Sequence, residues 1–261
     1  MTAFDPAEAA AALHRVRVER GLVSPLPAGI APCNETEGAA VQRALAGLFH
    51  ADRPAGFKIG ATGKRMQEYL GIDAPIAGFM QARDVHLSRA SIPFDRLIRP
   101  GVECEVAVRL REDLPPRPCT LAQALDAVDE FVAGIELVEN RYSDLKELGA
   151  PMLLADQMYH AAAVVGMQGD VDWRQFDLAG LRGSITLADG SGDSGATADL
   201  LGHPLNGLAL LASSPLAAAF GGLKAGQVIM LGSVTPPIWL TGPTVVTVSF
   251  PPLPPVTLRL T

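Results

Sequence analysis

Cysteine is scarce: Cys33, Cys104 and Cys119 are the three in 261 residues, and no C-x-x-C pair occurs. That excludes a disulfide framework or a thiolate zinc site and fits reduced thiols in a cytoplasmic protein. No apolar run approaches the roughly 18 residues of a membrane span. The start carries Asp5 and Glu8 among its alanines and lacks the basic segment of a signal peptide. No membrane partner is therefore expected. Positive charge is also thin: 21 Lys plus Arg against 28 Asp plus Glu give a net charge of −7, with no basic run. Nucleic acid is not an expected partner on electrostatic grounds. The G-x-S-x-G, P-loop, G-x-G-x-x-G and H-E-x-x-H patterns are all missing, which leaves serine nucleophiles and nucleotide binding without support. What remains is an ordinary globular composition, 48% hydrophobic and 19% charged, long enough for a substantial core.

The first fifty residues predict two helices. Asp5-Pro6-Ala7-Glu8 supplies a capping side chain, a proline at the first helical position and a glutamate at N3. Leu13 and Val16 continue the apolar face until Gly21. Asn34 and Glu37 repeat the capping-box spacing ahead of Val41, Leu45 and Leu48, a second helical stripe. Residues 1–56 are expected to form a helical N-terminal lobe for packing or oligomer formation, distinct from a second domain over 57–261 that the family resemblance given below implies is catalytic. Met66, Tyr69 and Leu70 predict a short helix ending at Gly71. After about residue 90 the texture turns to strands. Glu103–Leu110 alternates, with Cys104, Val106, Val108 and Leu110 on one face and Glu103 and Glu105 on the other. Thr120 and Gln123 form a capping box that opens a helix expected to run through Val132, and Gly134–Val138 reads as a strand. Further strands are expected at Ser184–Leu187, Val228–Leu231, Val245–Phe250 and Val256–Leu260, with a turn at Asp189-Gly190 and a helix at Asn206–Ala212. Strands outnumber interleaved helices too far for a doubly wound sheet, so the expected class is α+β with a β-rich mixed sheet.

Glu103 and Glu105 project from one strand face, and Glu136 from a second strand. Neighbouring carboxylates repel unless a cation neutralises them. Three oxygen donors without His or Cys nearby favour Mg²⁺ or Mn²⁺ over zinc. Spacing alone equally allows a solvated strand face. Lys58, enclosed in Gly56-Phe57-Lys58-Ile59-Gly60, is a candidate proton carrier or a strand lysine whose head reaches water. His203 is a candidate ligand, base or turn-ordering side chain. Asp156 is a candidate turn cap or holder of a catalytic water.

The segments FKIGATGKRMQEYLGI (57–72), VECEVAV (102–108), GIELVENRY (134–142), LLGHPLNGLALLA (200–212) and GQVIMLGSVT (226–235) occur in one order along the chain. Together they resemble the hydratase and decarboxylase branch of the fumarylacetoacetate hydrolase superfamily, which includes 2-oxopent-4-enoate hydratases and 4-oxalocrotonate decarboxylases. The resemblance implies a mixed-sheet roll or barrel of the fumarylacetoacetate hydrolase type, a homo-oligomer, and Mg²⁺ or Mn²⁺ held by Glu103, Glu105 and Glu136. It implies Lys58 and Asp156 as catalytic groups, and Ile76, His203 and Ser233 as residues lining the substrate, a small 2-oxo acid from the breakdown of aromatic compounds. Three departures stand out. Gln157 replaces an asparagine, Met158 and Tyr159 replace small residues, and Gly101 lacks a basic side chain common in the branch.

The implied reaction is hydration of a 2-hydroxy-2,4-dienoate or 2-oxo-4-enoate to a 4-hydroxy-2-oxo acid. Pro75-Ile76-Ala77-Gly78 pulls toward the alternative, decarboxylation of a 4-oxalocrotonate-like diacid, because hydratases of the branch carry an aspartate where Ile76 stands. Hydrolysis of an acylpyruvate commonly needs a His-Glu pair, and none is evident beside Lys58. Metal binding without turnover is the remaining alternative.

Overall fold

The computed structural model describes residues 4–261, apart from the side chains of Arg65 and Lys146. The chain opens with helices α1 (Pro6–Val18) and α2 (Glu35–Leu48), then strand β1 (Gly56–Gly60), helix α3 (Lys64–Leu70) and strand β2 (Ile76–Met80). Three strands follow, β3 (Val85–Leu87), β4 (Arg89–Ile92) and β5 (Pro100–Leu110), then α4 (Leu121–Asp126), β6 (Val128–Glu139), α5 (Gly149–Ala155) and β7 (His160–Val165). The last third holds β8 (Arg182–Leu187), β9 (Gly192–Ala196), α6 (Pro204–Ala212) and α7 (Pro215–Ala219). It ends with β10 (Val228–Ser233), β11 (Ile238–Trp239), β12 (Thr244–Ser249) and β13 (Val256–Leu260).

Local signals set the helix ends. The Asp5 carboxylate accepts from the Ala7 amide at 2.9 Å, and Asn34 accepts from Glu37 at 2.9 Å. Glu37 reaches back to the amide of Cys33, one residue before the cap, at 2.7 Å. Val41 and Leu45 are buried as the stripe predicts, while Leu48 lies at the fraying end and is exposed. Gly71 closes α3 in the left-handed conformation. The Thr120–Gln123 capping box forms, but its helix does not reach Val132. It stops at Asp126, and Val128 onward is strand. Val128, Phe131 and Val132 are β-branched or aromatic, and pairing Phe131 with Val108 and Val132 with Ala107 buries all three.

The larger sheet runs β2-β1-β10-β5-β6-β7-β3, with β11 added beside β5. It is mixed: β1 pairs with β10 and β3 with β7 in parallel, and the other pairs are antiparallel. Contacts between β2 and β7 show that it curls into a half-barrel. The smaller sheet, β4-β13-β12-β8-β9, covers the outer face of β5, β6 and β7, while α2, α5 and α6 cover β2 and β10. Most of the core lies on this outer side. Gln42 of α2 is fully buried and ties three parts together: its amide donates to the carbonyls of Ala77 and Leu154, and its oxygen accepts from Phe79. The inner face is divided. At one end Met80, Ala107, Val132, Ala163, Val165, Val228 and Met230 form a separate apolar plug. At the other end the same face carries Glu103, Glu105, Glu136 and Lys58.

Candidate metal centre and active site

Strand register builds the centre. Glu103 pairs directly with Glu136, and Glu105, two residues along β5, shares their face. One oxygen from each of Glu103, Glu105 and Glu136 lies within 4.8 Å of the others. Glu105 and Glu136 are fully buried and Glu103 partly so, which excludes a solvated strand face. The next strand but one brings Lys58, 2% exposed, to 3.4 Å from Glu136 Oε1. Its ammonium also donates to the Met158 carbonyl. A fifth group is not legible from spacing: buried His160 places Nδ1 2.8 Å from the same Glu136 oxygen. This contact pairs His160 with a member of the glutamate set and is not the His-Glu pair early in the domain that acylpyruvate hydrolysis commonly uses.

The electrostatics are unbalanced. Three carboxylates face one ammonium, leaving 3 − 1 = 2 negative charges without a cation. Burial and the neighbouring Glu136 push Glu103 up to about 8, and burial with both neighbours pushes Glu105 well above the carboxylate range. Burial would raise Glu136 too, but Lys58 and His160 outweigh it and hold that carboxyl below its ordinary value. Glu105 Oε2 accepts from the Gly232 amide at 3.1 Å, and Glu136 Oε1 is engaged by Lys58 and His160. The other oxygens, Glu105 Oε1 and Glu136 Oε2, are buried without a hydrogen-bond partner. Orphaned acceptors of this kind are costly. Carboxylate oxygens that converge without donors fit a hard divalent cation.

Behind the centre, Asp156 ends α5 and is fully buried. Arg141 binds it through Nε to Oδ2 at 2.8 Å and through Nη2 to its carbonyl at 2.8 Å, while Arg17 lies 3.7 Å from Oδ1. The structure thus joins Lys58 to the glutamates and gives Asp156 to the arginines. Gln157, Met158 and Tyr159 then follow with φ of 60°, 39° and 64°, a left-handed turn made without glycine. Each such residue costs about 1–2 kcal/mol. Gln157 donates to the Phe79 carbonyl, Arg17 donates to Gln157, and Arg141 donates to the His160 carbonyl, so polar contacts hold the turn in place. Gly78 admits it, because a Cβ there would lie 2.9 Å from the Gln157 carbonyl oxygen. The strain aims the Met158 carbonyl at Lys58 and brings His160 to Glu136.

No family model matches the chain. A 2-keto-4-pentenoate hydratase of Burkholderia vietnamiensis is 34% identical over 189 residues, 72% of this chain and 70% of that protein. A 2-oxo-hept-4-ene-1,7-dioate hydratase of Escherichia coli is 33% identical over 192 residues, 70% of each chain. The chain belongs to the hydratase and decarboxylase branch of the fumarylacetoacetate hydrolase superfamily. A 4-oxalocrotonate decarboxylase of Pseudomonas putida also matches, 28% identical over 184 residues, 69% of this chain and 67% of that protein. These relatives are lyases, and so is this member of the branch. The fold agrees: 4-oxalocrotonate decarboxylase from Pseudomonas putida G7, complexed with magnesium and adipate, superimposes with a TM-score of 0.87 at 23% identity. That match covers 98% of this chain and 97% of that one.

Of the family's remaining motif positions, Ser233 is half-buried and pairs with Glu105 just after a bulge in β10. Its hydroxyl donates to the Thr235 carbonyl at 2.7 Å. Gly232, with φ 105° and Thr62 packed where a Cβ would lie, makes the bulge that turns its amide onto Glu105. Ile76 is buried on β2 opposite Gly60, on the strand face that carries Lys58. His203 caps α6, its Nδ1 accepting from the Leu205 amide at 3.2 Å, and burial lowers its pKa. Among the described residues its contacts are those of a helix cap. His160 and Arg17 carry no motif signal as site residues, whereas Arg141 lies within the GIELVENRY segment. Their partners lie far along the chain.

Proposed function

We propose that the protein is a divalent-metal-dependent lyase that adds water to a 2-hydroxy-2,4-dienoate, or the 2-oxo-4-enoate it gives, forming a 4-hydroxy-2-oxo acid. The observation that carries this reading is the buried Glu103/Glu105/Glu136 set with orphaned oxygens beside Lys58. These three glutamates would hold Mg²⁺ or Mn²⁺. A bound divalent cation supplies a Lewis acid for the acid's carboxylate and 2-oxo oxygen and offsets negative charge developing there.

Lys58 does the proton work. An ammonium has three donors; Met158 and Glu136 take two, which leaves one for substrate. In the first half, Lys58 gives a proton to C5 of the dienol and regains one from the 2-hydroxyl, yielding the 2-oxo-3-enoate. In the second half, C4 takes hydroxide from water while the Lys58 ammonium gives a proton to C3 and regains the water's other proton. Atoms balance as one added water. Asp156 is bound by Arg141 and anchors the strained turn.

Decarboxylation of a 4-oxalocrotonate-like diacid is the second reading, favoured by the apolar Ile76 on Lys58's strand face and by the engagement of Asp156. The three free cysteines support a reducing, cytoplasmic setting, and the family resemblance supports a homo-oligomer. The deciding experiment supplies Mg²⁺-loaded protein with 2-hydroxypenta-2,4-dienoate and, separately, 4-oxalocrotonate, recording ultraviolet loss and CO₂. Hydration of the first substrate is expected. CO₂ release from the second without hydration of the first makes the protein a decarboxylase, and silence on both makes it a metal-binding protein without turnover.

A further inference from the structure

The rim of the centre is aromatic. Trp239 of β11 pairs with Gly101, two residues before Glu103 on the same face of β5. Its ring lies over that glycine: a Cβ at 101 would stand 2.7 Å from ring atom Cε3 and 3.2 Å from Val138. Trp239 is 45% exposed although its ring packs on the sheet. Tyr159, delivered by the left-handed turn, puts its ring centroid 6.0 Å from that of Trp239 and 4.9 Å from that of Tyr142. Burial, Tyr69 and Glu103 raise the Tyr159 hydroxyl, so the ring stands among the same groups. Residues i and i+2 of a strand lie about 7 Å apart. Trp239 is therefore about one short carbon chain from the metal ligands.

Resting on the reading above, we infer that Tyr159 and Trp239 form a subsite for the far end of the substrate and select an apolar, preferably aryl, substituent over a second carboxylate. With its first carbons at the glutamates, a 2-oxo acid has its tail directed along β5 or away from it, and along β5 it meets two aromatic faces. Gly101 offers no cation there. Of the two arginines that act on Tyr159, Arg99 donates to the Tyr142 carbonyl at 2.6 Å and Arg141 is bound to Asp156. Aromatic faces reward a ring or alkyl tail and leave a carboxylate desolvated without a partner. Trp239 is exposed as a receiving surface would be, whereas Trp173, the other tryptophan, is buried and bonded to the Asp129 carbonyl.

The test is binding, not turnover. Mg²⁺-loaded protein is titrated by calorimetry with pyruvate, 2-oxo-4-phenylbutanoate and 2-oxoadipate, and tryptophan emission is followed in parallel. The phenyl acid is expected to bind at least about fivefold more tightly than 2-oxoadipate and to change Trp239 emission. Trp239→Ala should remove most of that preference and leave pyruvate affinity unchanged, and Tyr159→Phe, which keeps the ring, should preserve it. The inference is overturned if 2-oxoadipate binds as tightly as the phenyl acid. It is also overturned if Trp239→Ala leaves the preference intact, or alters only the oligomeric mass, which would make the ring a contact between copies. If pyruvate also fails to bind, the fault lies with the 2-oxo acid reading itself.

Discussion

Two groups of buried carboxylates lie close together, and they are built on opposite plans. Asp156 has its charge met by cations from within the chain: Arg141 binds one oxygen and the main-chain carbonyl, and Arg17 stands 3.7 Å from the other oxygen, which accepts no hydrogen bond. Among the described residues, Glu103, Glu105 and Glu136 have Lys58 as their fixed cation, and two of their buried oxygens accept no hydrogen bond. Burying unpaired carboxylates costs several kcal/mol each in a folded protein. A chain that spends two arginines on one aspartate and one lysine on three glutamates reserves the second site for a charge from outside. The difference separates a structural ion pair from a ligand set, which acidity and burial alone do not.

That contrast can be broken most forcefully by neutralising one member of each group. Asp156→Asn leaves Arg141 buried and short of its partner and should cost about 3–5 kcal/mol of stability, read by urea unfolding of the metal-free protein. Glu105→Gln replaces a carboxyl whose ionisation burial and its two neighbours oppose, and should raise the metal-free melting temperature. If both variants lose stability alike, the two sites are not opposites. Next in size, Lys58→Met should keep the fold and the metal but lose at least about 10²-fold in rate, the low end for a general acid–base group. Near-normal turnover would make Lys58 a countercharge only. His160→Ala frees a Glu136 oxygen from its fixed donor and should weaken metal binding about tenfold, as loss of a ligand's supporting hydrogen bond does.

A further effect is in pH. Because Glu103 sits at about 8 in the folded protein against an ordinary 4.5, the fold holds a proton that the unfolded chain releases between those values. Metal-free stability from this group is therefore greatest below about pH 4.5 and lost as pH rises through about 8. Melting temperatures taken across that window should fall with rising pH for the metal-free protein and lose that slope under saturating Mg²⁺.

Much of this is legible in the sequence because it is local. Asp5, Asn34 and Thr120 announce their helix starts within three residues, and the two-residue period of β5 is enough to put Glu103 and Glu105 on one face. The length of α4 is overestimated from sequence because its capping box speaks only for the first turn. Pairing of Val128–Val132 with β5 overrides any helical continuation. The partners of the ligands are hidden for a different reason. His160 meets Glu136 across 24 residues and Arg141 meets Asp156 across 15, through a turn of three left-handed non-glycine residues that no propensity favours. That turn is fixed by polar contacts from α1, β1, β2 and β6. It becomes intelligible only once those elements are together.

The central claim, that the three glutamates await a divalent cation, is met most directly by Mg²⁺ calorimetry at pH 6 and pH 9 on the native protein and Glu105→Gln. Metal binding displaces protons from ligands that hold them. Native affinity should be higher at pH 9, protons should be released at pH 6, and Glu105→Gln should bind at least about 10²-fold more weakly, beyond the loss expected from an outer partner. Equal affinity in the native protein and Glu105→Gln at both pH values would contradict the account.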